Sequence, residues 1–282
     1  MCRVLLAPLL AVCLLAQASA QQFRQPAPYR ILVTNDDGVR TPGIAALAQI
    51  LQAIGTPIIV APSENQSGTG HSIVTTEAVF REDLTLPNGL EAIGLTAKPA
   101  STVNIALRNI VMPRPDLVIA GINSGHNLGL SAYLSGTVGA AREAASHGVP
   151  AIAASLPVSA SAADLVFAAE EVFGVARRVK QYGLAPSTFL NVNVPGVAAA
   201  DDYKGYMITT QAMVRGGEQY FEETQHPAGR TVYWSLYTEG KNAPQPEGTD
   251  IWAIRNGYTS VTPMRIGETD QSQAETLRAI FK

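Results

Sequence analysis

Two adjacent carboxylates, Asp36 and Asp37, stand between Asn35 and Gly38 directly after the apolar run Ile31-Leu32-Val33-Thr34. Four β-prone residues that stop at Asn, Asp and Gly predict a buried strand ending in a turn. That turn presents both acids at the strand's carboxyl end, the edge at which open α/β sheets bind ligands. Neighbouring carboxylates repel, so the pair calls for a compensating charge, most simply a bound divalent cation. All three residue types also favour ordinary solvated turns, so the motif gains its meaning from what surrounds it.

Three other loops follow predicted strands. They are Pro62-Ser63-Glu64-Asn65-Gln66-Ser67-Gly68, Ile122-Asn123-Ser124-Gly125-His126-Asn127, and Tyr133-Leu134-Ser135-Gly136-Thr137, the last running straight into a helix. In a parallel sheet such loops converge on one edge. They bring hydroxyls and carboxamides to the two acids but no thiol, an oxygen-rich donor set suited to magnesium, manganese or calcium. Ser135-Gly136-Thr137 at a helix start can cradle a phosphate, because unpaired N–H groups and the positive end of the dipole face an anion there. Gly68-Thr69-Gly70 opens no helix and is not a dinucleotide fingerprint.

The elements that must position these loops repeat in a βαβ pattern. Pro42-Gly43 opens a helix with Ile44, Leu47, Ile50, Leu51 and Ile54 on one face and Gly55 closing it; Pro57 to Ala61 is the next strand. Val103 to Ile110 reads as a helix, Leu117 to Gly121 as a strand, Thr137 to His147 as a helix, and Ala151 to Ala154 as a strand. Ser161 caps a long helix through Lys180, and Phe189 to Val194 returns to the sheet. The pattern predicts a doubly wound, Rossmann-like α/β core over about 29–195 with parallel strands. Beyond Pro195 the texture changes: Tyr206 to Gln211, Thr231 to Tyr237 and Ile251 to Pro263 are β-prone and aromatic, which predicts a C-terminal extension of strands and hairpins over 196–282. An amphipathic helix around Gln271 to Phe281 would pack back or cross to a partner subunit.

Composition bounds the function classes. With 46% hydrophobic and 15% charged residues and a net charge of -3, the chain is globular and shows no basic face for a nucleic-acid polymer. Residues 1–20 read as a signal peptide: Arg3, an apolar stretch from Val4 to Ala16, and the small-x-small site Ala18-Ser19-Ala20. The stretch is short for a membrane anchor. Both cysteines, Cys2 and Cys13, lie inside it, so the mature chain over 21–282 has none. Export, most simply to a periplasm, is the expectation.

Ile31 to Gly38 resembles the opening of the SurE family, metal-dependent nucleotidases first described as stationary-phase survival proteins. Val60-Ala61-Pro62 through Gly68, Gly121 through Gly129, Ser135 through Val138, Gly248-Thr249-Asp250 and Gly257 through Pro263 resemble later family blocks in order and spacing. The resemblance implies phosphomonoester hydrolysis of nucleoside monophosphates, at the 5′ and also the 3′ position. It places the metal ligands on Asp36, Asp37, Ser67 and Asn123, with the two aspartates as the catalytic pair and magnesium or manganese as the cation. Expected phosphate contacts are Asn35, Ser124, Gly125, Ser135, Gly136 and Thr137. His126 is a candidate acid for the leaving oxygen, or a structural histidine. A homodimer or homotetramer is expected. Two departures stand out: Ser101 follows Pro99-Ala100 where the family has an acid, and the family's better-known members are cytoplasmic.

Rival readings fit less well. Haloacid-dehalogenase phosphatases need Asp-x-Asp, whereas these acids are adjacent. A zinc deacetylase with adjacent aspartates needs a histidine near Thr34. An exported nucleotide- or phosphate-binding protein without turnover would keep the anion cradle but leave the paired acids unexplained.

Overall fold

The computed structural model describes residues 28–196, 203–215, 217–239 and 244–281. The expected signal peptide lies outside them. A nine-stranded sheet organises the chain: β1 (Arg30–Thr34), β2 (Thr56–Pro62), β3 (Arg81–Thr85), β4 (Glu91–Leu95), β5 (Leu117–Ser124), β6 (Ala151–Leu156), β7 (Thr188–Asn193), β8 (Tyr206–Ile208) and β11 (Thr259–Arg265). Their order is β3-β4-β2-β1-β5-β6-β7-β11-β8. The run from β4 to β7 is parallel; β3 and β11 pair antiparallel with β4 and β7. The architecture is a doubly wound α/β sheet with a separate hairpin and a terminal helix.

Helices α1 (Pro42–Leu51) and α4 (Ala162–Tyr182) cover one face, and α2 (Pro99–Ile105) and α3 (Gly136–Ser146) the other. The strands alternate between them: Ile31 and Val33 face the first layer, Leu32 the second. That two-sided burial is why these strands read as unbroken apolar runs. Pro99 sits in the first turn of α2, where its missing N–H costs nothing, and a single wide π turn over 106–110 follows. Ser161 caps α4 in a reciprocal pair with Asp164. Helix α1 ends at Leu51, short of Gly55; a side chain at Gly55 would come 2.3 Å from the Tyr29 carbonyl, so close approach of β1 explains that glycine.

The C-terminal part departs most from expectation. Ile251 to Pro263 is not one extended segment: Asp250–Arg255 forms helix α5, capped by the Thr249 hydroxyl, and only Thr259–Arg265 is strand. Strands β9 (Gly217–Gln225) and β10 (Thr231–Glu239) form an isolated antiparallel hairpin. Helix α6 (Gln271–Ile280) buries none of its residues. Strands β3 and β4 carry no sequence signal strong enough to predict them, because the edge strand Arg-Glu-Asp-Leu-Thr is mostly charged. No helix among the described residues is long and apolar enough to cross a membrane.

Candidate metal centre and substrate cleft

Strand β1 delivers the acidic turn to the carboxyl edge of the sheet. Asn35 is fully buried and committed to that turn: its Nδ2 donates to the Gly38 carbonyl and the Thr41 hydroxyl, both at 2.9 Å, and its Oδ1 accepts from the Gly38 N–H at 3.2 Å. Its expected contact with phosphate is therefore replaced by a structural duty. Gly38 adopts φ 112°, which strains any other residue.

Asp36 is only 2% exposed. Its Oδ1 accepts the Thr137 hydroxyl at the start of α3. Burial pushes its carboxyl up to about 6; the negative Asp37 adds to the rise, and hydrogen bonds from Thr137 offset part of it. A side chain on Gly136 would come 2.9 Å from the Asp36 Cβ, so only glycine lets the helix start approach this closely. The anion facing the N-terminus of α3 is thus Asp36 itself. The Ser135 hydroxyl meanwhile caps the helix by accepting from the Val138 N–H at 3.1 Å. Gly136 and Thr137 support the acid rather than forming the open phosphate cradle expected from their sequence.

Asp37 accepts the Ser124 N–H at 2.9 Å, and burial raises its carboxyl above the ordinary range. The Gly125 N–H goes to the Leu156 carbonyl at 2.9 Å. Both amides expected to face phosphate are therefore engaged within the protein, while the Ser124 hydroxyl, at the cleft, donates to the Val158 carbonyl over a long 3.5 Å. Asn123 donates from Nδ2 to the Gly125 carbonyl at 2.5 Å, which leaves Oδ1 as its acceptor. Ser67 is exposed, on a loop tied to the acid by the Gln66 N–H donating to the Asp36 carbonyl at 2.7 Å. Asp36, Ser67 and Asn123 line one cleft of about 590 Å3, together with Ser124, Gly125 and Ser135.

The donor chemistry fits a hard cation. Two carboxylates, one carboxamide oxygen and one hydroxyl are all oxygen ligands, and a buried carboxylate beside a second one needs positive charge. Among the described residues, no group of three His, Cys, Asp or Glu offers a rival site. His126 also lines the cleft, but its Nε2 donates to the Val194 carbonyl at 2.8 Å, which holds that proton against the backbone.

Several residues of the site were not singled out for a role from sequence. Asp250 is fully buried and accepts from the Gly129, Ala212 and Ile251 N–H groups at 2.8, 2.9 and 2.8 Å, fastening the C-terminal segment to the 123–130 loop. Asn127 donates to the Ser155 hydroxyl at 2.8 Å and its carbonyl accepts from Asn191 at 2.8 Å, so a buried polar net fixes the same loop from below. The alternating asparagines of Leu190-Asn191-Val192-Asn193, odd in a buried strand, were the available signal. Arg215 and Arg255 also reach the cleft.

The chain is thus a doubly wound α/β protein with an acidic, oxygen-lined centre beside an open cleft at the sheet's carboxyl edge, a donor set whose chemistry suits a hard cation. The family described as Survival protein SurE matches residues 31–218. The chain belongs to the SurE family. It is 39% identical over 255 residues to "5'-nucleotidase SurE 1" of Thermus thermophilus, covering 90% of this chain and 98% of that protein. It is 41% identical over 248 residues to "5'-nucleotidase SurE" of Syntrophotalea carbinolica, covering 88% and 95%. The crystal structure of the SurE protein from Aquifex aeolicus superposes with a TM-score of 0.75 at 33% identity, covering 90% of this chain and all of that one.

Proposed function

We propose that the chain is a metal-dependent 5′-nucleotidase, hydrolysing nucleoside monophosphates to nucleoside and phosphate. The observation that carries this is the burial of Asp36 against the start of α3, at the floor of a cleft it shares with Ser67 and Asn123, in a chain whose relatives bear that name. Asp36, Asp37, Ser67 and Asn123 would hold the cation, and the oxygen set favours magnesium or manganese. When bound, such a cation polarises a phosphoryl oxygen and lowers the pKa of a coordinated water. Thr137 and the Ser124 amide fix the two carboxylates, while the Ser67, Ser124 and Ser135 hydroxyls are placed to hydrogen-bond phosphate oxygens. No support exists in the relatives' names for a binding protein without turnover.

Phosphate release from 5′-AMP, 5′-GMP, 3′-AMP and p-nitrophenyl phosphate, each with magnesium, manganese or chelator, tests the reading. Release from 5′-nucleotides that chelator stops is expected. Turnover undiminished by chelator overturns the metal requirement, and no release from any nucleotide overturns the function.

Two further parts of the reading rest on the surface and on the sequence. Helix α6 leaves Leu277, Ile280 and Phe281 uncovered, and the hairpin does the same for Phe221, Tyr233 and Trp234. Apolar faces of this kind favour a homodimer or homotetramer, which light scattering would read directly. Residues 1–20 support export with cleavage after Ala20; a mature chain beginning at Met1 in the cytoplasm would refute it.

A further inference from the structure

Two guanidinium groups, Arg215 and Arg255, line the cleft, and Asp36 is the only acid among the described residues that line it. Both segments that bear them are pinned to Gly129. The backbone of Arg215 bridges that of Gly129, and the Leu130 N–H donates to the Val214 carbonyl at 2.8 Å. Helix α5 carries Arg255 in its last turn and begins at Asp250, which accepts the Gly129 N–H at 2.8 Å. A side chain on Gly129 would come 2.1 Å from the Val214 carbonyl, so the approach depends on glycine. Asn123, the expected metal ligand, stands at the end of β5, which leads into the loop holding Gly129. One connection therefore joins the acidic end of the cleft to the segments carrying the arginines.

The wall beside the arginines is apolar: Leu128 and Ile251 pack together, with Ile254 against them, and all three face the cleft. Apolar surface suits a nucleoside body better than a bare phosphate chain. Guanidinium groups bind phosphate through paired charge-assisted hydrogen bonds. We infer that Arg215 and Arg255 form a second anion subsite, which takes the second phosphate of a nucleoside bisphosphate phosphorylated at both the 3′ and 5′ positions. The inference rests on the nucleotidase reading of the same cleft. In the reaction, water adds to the phosphorus at the acidic end, that P–O ester bond breaks, and the ribose oxygen leaves as a hydroxyl that has taken up a proton from the water. Inorganic phosphate and a nucleoside monophosphate result, the latter still held by the arginines.

The experiment compares 5′-AMP, ADP and adenosine 3′,5′-bisphosphate in kcat/KM, and measures bisphosphate binding by calorimetry, for the wild-type chain and for Arg215→Ala combined with Arg255→Ala. The expected result is a preference of roughly tenfold or more for the bisphosphate over 5′-AMP, expressed in KM, which the double variant loses. Circular dichroism of the double variant verifies its fold, and Arg215→Lys with Arg255→Lys should recover part of the binding. A bisphosphate that binds and reacts no better than 5′-AMP overturns the inference, as does a preference that survives the double substitution or ADP matching the bisphosphate. If no nucleotide is hydrolysed the nucleotidase reading fails, while the calorimetric comparison still decides the subsite.

Discussion

Thr137 donates its hydroxyl to Asp36 across a sequence separation of 101 residues, joining the first turn of α3 to the end of β1. That bond makes a helix start, which from sequence looks like an anion site for substrate, into the support of a buried carboxylate. Thr137→Val keeps the shape and removes the donor. A hydrogen bond of this kind orients a metal-ligating carboxylate, and its loss weakens divalent-metal affinity by roughly tenfold to a hundredfold. Thr137→Ser should restore most of it. Metal titration by calorimetry reads the effect, and an unchanged affinity in Thr137→Val would sink the assignment.

Asp36 links stability to pH. Its carboxyl is raised in the folded protein to about 6, chiefly by burial, so the folded state binds the proton more tightly than the unfolded chain does. Stability of the metal-free protein from this group is therefore fully present below the ordinary carboxylate range and is lost as pH rises through about 6. The rise corresponds to a cost of about 3 kcal/mol for keeping the carboxylate ionised near pH 8. Asp36→Asn should thus unfold later than wild type at pH 8 without metal, by several degrees, while abolishing metal-dependent turnover. A variant that is less stable at pH 8 and equally active contradicts both halves.

How much of this was legible follows from where each signal resides. The β1 strand and its acidic turn were readable because burial on both faces writes an apolar run, and Asn, Asp and Gly then end it. The long helix α4 was readable from the Ser161 cap and the run that follows it, although its reciprocal partner Asp164 was not. Strand β3 was invisible because its charges satisfy an edge, and only pairing with β4 makes it a strand. Helix α5 was masked by Ile251 and Trp252, whose β propensity outweighed the capping signal of Thr249. In the site, the candidate ligands were nameable from type and order. The uses of the Asn35 side chain, the Ser124 and Gly125 amides and the α3 terminus were not, because their partners are fixed by tertiary contact.

Ser67→Ala and Asn123→Ala should both be milder than Asp36→Asn. Each deletes a neutral oxygen, and water can fill a vacated position on a hard cation. Turnover should fall about ten- to a hundredfold at limiting metal and recover in part at high metal, in line with weakened ligation. Asn123→Ala should be the more severe, because it also removes the bond to the Gly125 carbonyl that shapes the loop. A loss in Ser67→Ala that matches Asp36→Asn and ignores metal concentration would instead give the serine a direct chemical role.

Asp250 tests whether the C-terminal segment belongs to the site's architecture. Its Oδ1 accepts from Ala212 and Ile251, and its Oδ2 from Gly129, all without solvent access. Asp250→Ala strands three backbone donors, for which a loss of roughly 3–5 kcal/mol is expected. Asp250→Asn is the sharper probe. Its carboxamide can keep an oxygen toward Ala212 and Ile251 but then sets an N–H group against the Gly129 N–H, so that one strut fails while the volume stays. The loop from Asn123 to Gly129 should loosen, giving faster hydrogen exchange there and a KM for nucleotide that rises several-fold more than kcat falls. Equal exchange in that loop, with kcat and KM both at wild-type values, would show that α5 and the 123–130 loop hold their positions without the aspartate.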